Sequence, residues 1–214
     1  MRLFYFSLTL LVCSCAGYRF QQKDNPFKQY NIKSIAIPMF YNQSALPNVT
    51  PYFTKEIYNM ISDFDGLKIV NEKIADAVLV GIIESENKLI DTVVPGSPRN
   101  VENLLSDDLE SSRGEFYIPS SSEVRLSLKL IVVKSPTEDE IKFFRSKKSD
   151  KAFLSSKIIF REKITLSRSF TREIFEEDSK VINHTQNRGS LKKTVVSLSK
   201  EAAETFKEMI LYAF

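Results

Sequence analysis

Two amphipathic helical stripes flank most of the strand-like sequence in this chain, and each stripe needs an apolar surface to cover. In the first, Phe53, Ile57, Met60, Ile61 and Phe64 recur at steps of four, three, one and three, behind Thr50 as N-cap and Pro51 as first helical residue. Asp65-Gly66 ends it. The second is a helix expected from about Ser190, where Leu191, Val195, Leu198, Ala202, Phe206 and Met209 form the stripe and Lys192, Lys193, Lys200, Glu201, Glu204 and Lys207 the solvated face. The strand-like segments before and between them must supply the surface the stripes cover. The expected fold class is therefore α+β, a two-layer sandwich in which a mixed four- to five-stranded sheet is covered by two amphipathic helices.

Ser34-Ile35-Ala36-Ile37-Pro38 reads as a short first strand, with Pro38 tolerable at its end or at an edge. Leu67 to Val70 and Ala75 to Ser85 follow. The second of these is apolar at nearly every position from Ala77 to Ile83, as for a strand buried on both faces. Val124, Leu126, Leu128, Leu130 and Val132 alternate with Arg125, Ser127 and Lys129 before Ile131 and Val133 break the rule. Ile158, Phe160, Ile164, Leu166 and Phe170 alternate with Arg161, Lys163, Thr165 and Ser167. Residues 94–123, rich in serine, proline and acid, and the charged connection 135–157 read as long loops.

With 43% hydrophobic residues in 214, the chain can bury a core. Its 30 Lys+Arg against 27 Asp+Glu lack the basic excess of a nucleic-acid binder, and the bases are spread rather than pooled. Both cysteines, Cys13 and Cys15, fall at the start, so no disulfide and no cysteine metal site can hold the body.

The first residues read as an address. Met1-Arg2, then the apolar run Leu3 to Val12 with small residues at Ser14 and Ala16, has the layout of a secretory signal, at about half the roughly 20 residues a spanning helix needs. Val12-Cys13-Ser14-Cys15 resembles the lipobox of bacterial lipoproteins. Cys15 fits, with a small residue before it; Cys13, preceded by branched Val12, does not. The resemblance implies a signal peptide over 1–14, acylation at Cys15, an anchor and tether over 15–33, and one domain over 34–214. The mature side chains would carry 29 − 27 = +2. Ala16 after the cysteine is not the aspartate that retains such proteins at the inner membrane, which implies the periplasmic side of the outer membrane.

Chemistry is hard to place on the rest. His184 is the single histidine and sits in the polar stretch 183–187, so neither a two-histidine metal site nor a cysteine–histidine pair can form. Asp107, Asp108, Glu110, Glu138, Asp139 and Glu140 lie in loop-like runs that do not supply the apolar setting a general acid needs. Six glycines form neither a phosphate-cradling loop nor a dinucleotide fingerprint. No catalysis, metal or cofactor is expected. One stretch could bind: Lys142-Phe143-Phe144-Arg145-Ser146-Lys147-Lys148 mixes bases with two phenylalanines. It is either a charged loop with its two rings on the sheet or a contact for an anionic amphiphile such as lipopolysaccharide, through Lys142, Arg145, Lys147 and Lys148.

Several segments together resemble the LptE family of lipopolysaccharide-transport lipoproteins: Cys15-Ala16-Gly17-Tyr18-Arg19-Phe20, Ile35-Ala36-Ile37-Pro38-Met39-Phe40 with Asn42 and Ser44, Phe53-Thr54-Lys55-Glu56-Ile57, Leu67-Lys68-Ile69-Val70 and Ala75 to Ile83. The local match runs from Cys15 to about Ser85; beyond it only the order of elements agrees. What the resemblance implies is a non-catalytic plug that sits in an LptD-type β-barrel of the outer membrane, assists its assembly and binds lipopolysaccharide. The opening strand, aromatic, Asn and helix also look like two other envelope lipoproteins, the murein-synthase activator LpoB and the secretion-channel subunit CsgG.

Overall fold

The computed structural model describes residues 24–85, 89–92, 119–145, 156–172 and 184–214. In chain order they form a 3-10 turn (Lys28–Tyr30), β1 (Ser34–Ala36), β2 (Tyr41–Gln43), α1 (Thr50–Ser62), β3 (Lys68–Ile69), β4 (Ala77–Glu84), β5 (Ile90–Thr92), β6 (Ser121–Lys134), α2 (Glu138–Arg145), β7 (Ile158–Thr171) and α3 (His184–Ala213).

A strand has two edges, and the pairings show how they are shared. Antiparallel β6 runs along one edge of β4, from Ala77↔Lys134 to Glu84↔Ser127. Parallel β1 and β2 divide the other, β1 at Ala77–Val78 and β2 at Ile82–Glu84. β7 takes one whole edge of β6, while β4 and then β5 take the other. β3 lies outside β1. The seven strands thus stand in five ranks of one mixed sheet. With α1 and α3 packed on one face, this is the expected α+β sandwich.

The main core lies under those two helices. Phe53, Ile57, Met60 and Ile61 of α1 and Val195, Leu198, Ala202, Phe206 and Ile210 of α3 meet Leu79 and Ile83 of β4, the even-numbered apolar residues Val124 to Val132 of β6, and Phe160, Ile164 and Leu166 of β7. A second, smaller core occupies the opposite face: Ala36, Val78, Val80, Ile82, Ile131 and Val133 beneath Ile141 and Phe144 of α2. It explains two sequence oddities. β4 is apolar throughout because both its faces are covered, and β6 abandons alternation at Ile131 and Val133 because only that end lies under α2.

α2 interrupts the connection read as a loop over 135–157. Its N-terminus is a capping box: Thr137 N–H donates to Glu140 Oε2 (2.7 Å) and Glu140 N–H donates to Thr137 Oγ1 (3.3 Å). Three other boundaries differ from the sequence reading. Thr50 is already helical, and Val49 holds the cap position of α1 with no side-chain hydrogen bond there. α3 starts at His184 rather than Ser190, because a helix nucleated on its packed portion propagates into polar sequence. His184 is exposed, but on the helix, not in a loop. Finally, the polar stretch 21–33 is packed from Asp24 onward. Phe27 and Ile32 are fully buried, and Asn25 folds the turn by donating to Ile32 O (2.7 Å) and accepting from Phe27 N–H (2.9 Å).

Two positions pin the sheet. Gly81 of β4 lies flat against the buried ring of Phe40, where an added Cβ would stand 2.5 Å from its Cγ. Gly81→Ala should therefore cost about 2 kcal/mol by overpacking, read as a lower urea midpoint with an unchanged slope. At the start of β1, one oxygen of Asp76 accepts from Lys33 N–H (2.9 Å), Ser34 N–H (2.9 Å) and Ser34 Oγ–H (2.8 Å). The Lys33 backbone N–H, followed by the Ser34 hydroxyl, holds the Asp76 carboxyl below its ordinary value. The folded state then binds the proton less readily than the unfolded one. This contribution is complete above the ordinary carboxylate value of about 3.9 and is lost as pH falls below it. Asp76→Asn should cost about 1 kcal/mol at neutral pH, given the site's solvent screening, and should flatten the acid limb of stability against pH.

Candidate functional site

The chain enters the described fold at one end of the sheet. β1, β3, β4 and β7 start there, β6 stops there, and Asp24 bridges to Asp65 beside β3. α3 ends at the same pole, where Phe214 packs edge-on against Phe27 and Tyr30, both with ring centroids at 5.5 Å. Between entry segment and helix end lies an open cleft of about 480 Å³, lined by Asp24, Pro26, Lys28, Leu211 and Phe214 among others. Thr92, Ser121 and Thr171 mark the opposite pole. Residues 93–118 and 173–183, which take in most of the segment read as a loop over 94–123, lie outside the described residues.

Of the residues proposed from sequence, Cys15 lies outside the described residues, as do Lys147 and Lys148. Lys142 is exposed on α2, 3.7 Å from Asp139 one turn earlier, and Arg145 is the last residue of that helix. Their neighbour Phe144 is 2% exposed and Phe143 is half-buried, with the two rings edge-on at 6.0 Å. The phenylalanines thus anchor the helix to the sheet rather than face a ligand, as the plainer of the two sequence readings had it. What remains for binding is the polar face of α2, held near the entry pole.

Glu140 is one of the carboxylates read from sequence as solvated loop charge, and the structure gives it a definite task. Besides closing the capping box it accepts from Lys157 Nζ at 3.1 and 3.0 Å, tying α2 to the start of β7. The Thr137 N–H, and then Lys157, hold its carboxyl below the ordinary value. The signal for this was present in Thr137-Glu138-Asp139-Glu140 followed by Ile141.

Beyond the part covered by α2, the sheet face opposite α1 and α3 is polar on β6 and β7. Arg125 and Ser127 of β6 and Arg161, Lys163, Thr165, Ser167 and Ser169 of β7 point away from the helices, and Lys163 pairs with Glu84 of β4 at 3.3 Å. Lys129 is the exception in exposure: it lies 7% exposed within that face. Among the described residues, no three His, Cys, Asp or Glu side chains are grouped to hold a metal ion. No described helix is long and apolar enough to cross a membrane.

No family model matches the sequence, and no curated protein matches it significantly. Solved structures similar to the chain include uncharacterized lipoprotein B from Nitrosomonas europaea, with 12% identity and a TM-score of 0.39 over 88% of this chain and 85% of that one. A minor lipoprotein from Acinetobacter baumannii shares 9% identity with a TM-score of 0.35 over 83% and 94%. The hypothetical protein CT253 from Chlamydia trachomatis shares 12% with a TM-score of 0.40 over 84% and 98%. Values this low establish neither a family nor an activity for the chain.

Proposed function

We propose that this chain is a lipid-anchored protein of the bacterial envelope, joined to the outer membrane through Cys15, that plugs an LptD-type β-barrel, assists its assembly and binds lipopolysaccharide without catalysis. The observation that carries this reading is the polar sheet face. A domain seated in the water-filled lumen of a barrel must present hydrogen-bonding side chains to a wall that is itself polar. Here Arg125 of β6 and Arg161, Lys163, Thr165, Ser167 and Ser169 of β7 do so beyond the end covered by α2, while the opposite, apolar side of both strands is already covered by α1 and α3. That cover also weighs against a channel-forming hairpin, whose apolar side would have to face lipid.

The deciding experiment is to tag the C-terminus, solubilise outer membranes in mild detergent and identify the stoichiometric partner. A single large β-barrel in a one-to-one complex supports the proposal. A murein synthase with no barrel, or a homo-oligomeric ring, overturns it. For the ligand, replacing Lys142, Arg145, Lys147 and Lys148 with Ala should weaken lipopolysaccharide binding by about tenfold at low salt and less at high salt, since screening already weakens exposed charges there. Unchanged affinity at low salt would remove this stretch from the binding site.

A further inference from the structure

The two edges of the sheet are built in opposite ways. At one, β3 is two residues long, the short kind of edge that offers a neighbouring chain little to pair with. At the other, β7 runs for 14 residues without proline or glycine, against the five or six of an ordinary strand, and no described segment pairs with its outer side. Arg172 N–H donates to Ser120 O (2.9 Å), so the even-numbered residues of β7 turn their backbone groups toward β6. The odd-numbered ones, Arg161, Lys163, Thr165, Ser167 and Ser169, turn theirs outward.

We propose that this edge pairs antiparallel with β7 of a second copy, on a two-fold axis at Thr165, to make one continuous sheet. The residues of β7 select that register. With Thr165 opposite its own copy, Ile164 faces Leu166, Phe160 faces Phe170 and Glu162 faces Arg168, each pair occurring twice on the helix-covered side. On the outer side, Lys163 faces Ser167 and Arg161 faces Ser169. Moving the axis to Ile164 sets Glu162 against Leu166, and moving it to Leu166 sets Glu162 against Phe170. Axes at Glu162, Lys163 or Arg168 put like charges face to face. Glu162 is exposed, and the Arg168 side chain remains 47% exposed while it bonds Glu201 at 3.2 Å and Ser197 on α3. Both can therefore reach a neighbouring strand. This inference concerns copies not held in a barrel, where β7 is open to a second copy, and its failure leaves the one-to-one transport reading standing.

The register can be read by cross-linking the full mature protein in mild detergent. Directly opposed residues have Cα atoms about 5.5 Å apart, inside the window a disulfide tolerates, so Thr165→Cys should link to its copy under mild oxidation. Ser167→Cys and Ser169→Cys, displaced from the axis by about 14 and 27 Å between copies, should link at least about tenfold more slowly. Glu162→Arg in the Thr165→Cys protein should reduce its linking about tenfold by setting two pairs of cations face to face. The parent protein, oxidised alongside, reports any link through Cys13 or Cys15, so failed processing at the anchor is read separately. Equal linking at all three positions, or no link at Thr165→Cys with a monomeric mass by sedimentation, overturns the proposal.

Discussion

Phe206→Ala is expected to lower the stability of the domain by about 4 kcal/mol, since a buried Phe reduced to Ala leaves a cavity that its neighbours only partly fill. Phe206 is fully buried in α3 and meets Phe160 of β7 edge-on, with ring centroids at 5.5 Å and planes at 63°. Phe160 in turn lies 6.2 Å from Phe214, which holds Phe27 and Tyr30 of the entry segment. One truncation thus loosens the last helix, the long edge strand and the chain entry together. Against the 5–15 kcal/mol of a typical domain, the loss should appear as a fall of roughly 10 °C in melting temperature. A shift below about 1 kcal/mol, the level of an ordinary surface substitution, would mean that α3 does not pack on β7 as described.

Cys15→Ala is expected to move the protein from the membrane to the soluble fraction almost completely. Burial contributes about 0.8 kcal/mol per CH₂, and a single chain gives only marginal binding, so stable anchoring depends on the several chains an acylated Cys15 would carry. Fractionation after labelling with a fatty-acid probe checks both parts. Label that persists on the Cys15→Ala protein, or a membrane fraction that stays full, would show that the attachment lies elsewhere.

Where two signals coincided, the sequence was legible. Both long helices carry apolar stripes on unbroken helical spacing, and β4 and β7 carry the patterns of a doubly covered and a singly covered strand. α2 was missed because it has eight residues, too few for a periodic stripe to stand out from its charges, and because only its capping box betrays it. The entry segment was missed because its hold on the core is two residues, Phe27 and Ile32, amid polar sequence. β2 and β5 are three residues each and are specified only by their neighbours, whereas β3 was legible within Leu67 to Val70. The basic stretch was half legible: its phenylalanines read correctly as sheet contacts, but whether its cations converge depends on three-dimensional placement, which periodicity does not carry.

The distance between the two poles has a consequence for what each can recognise. β6 and β7 make the body about 46 Å long at roughly 3.3 Å per residue. In a protein anchored at Cys15, nine residues lead to Asp24, at most about 30 Å. Confined to that shell, the entry pole with its cleft meets the membrane surface at an effective concentration in the millimolar range, enough to saturate contacts too weak to detect in free solution. The far pole gains nothing from this confinement when the sheet stands upright, and must win its partner by intrinsic affinity alone.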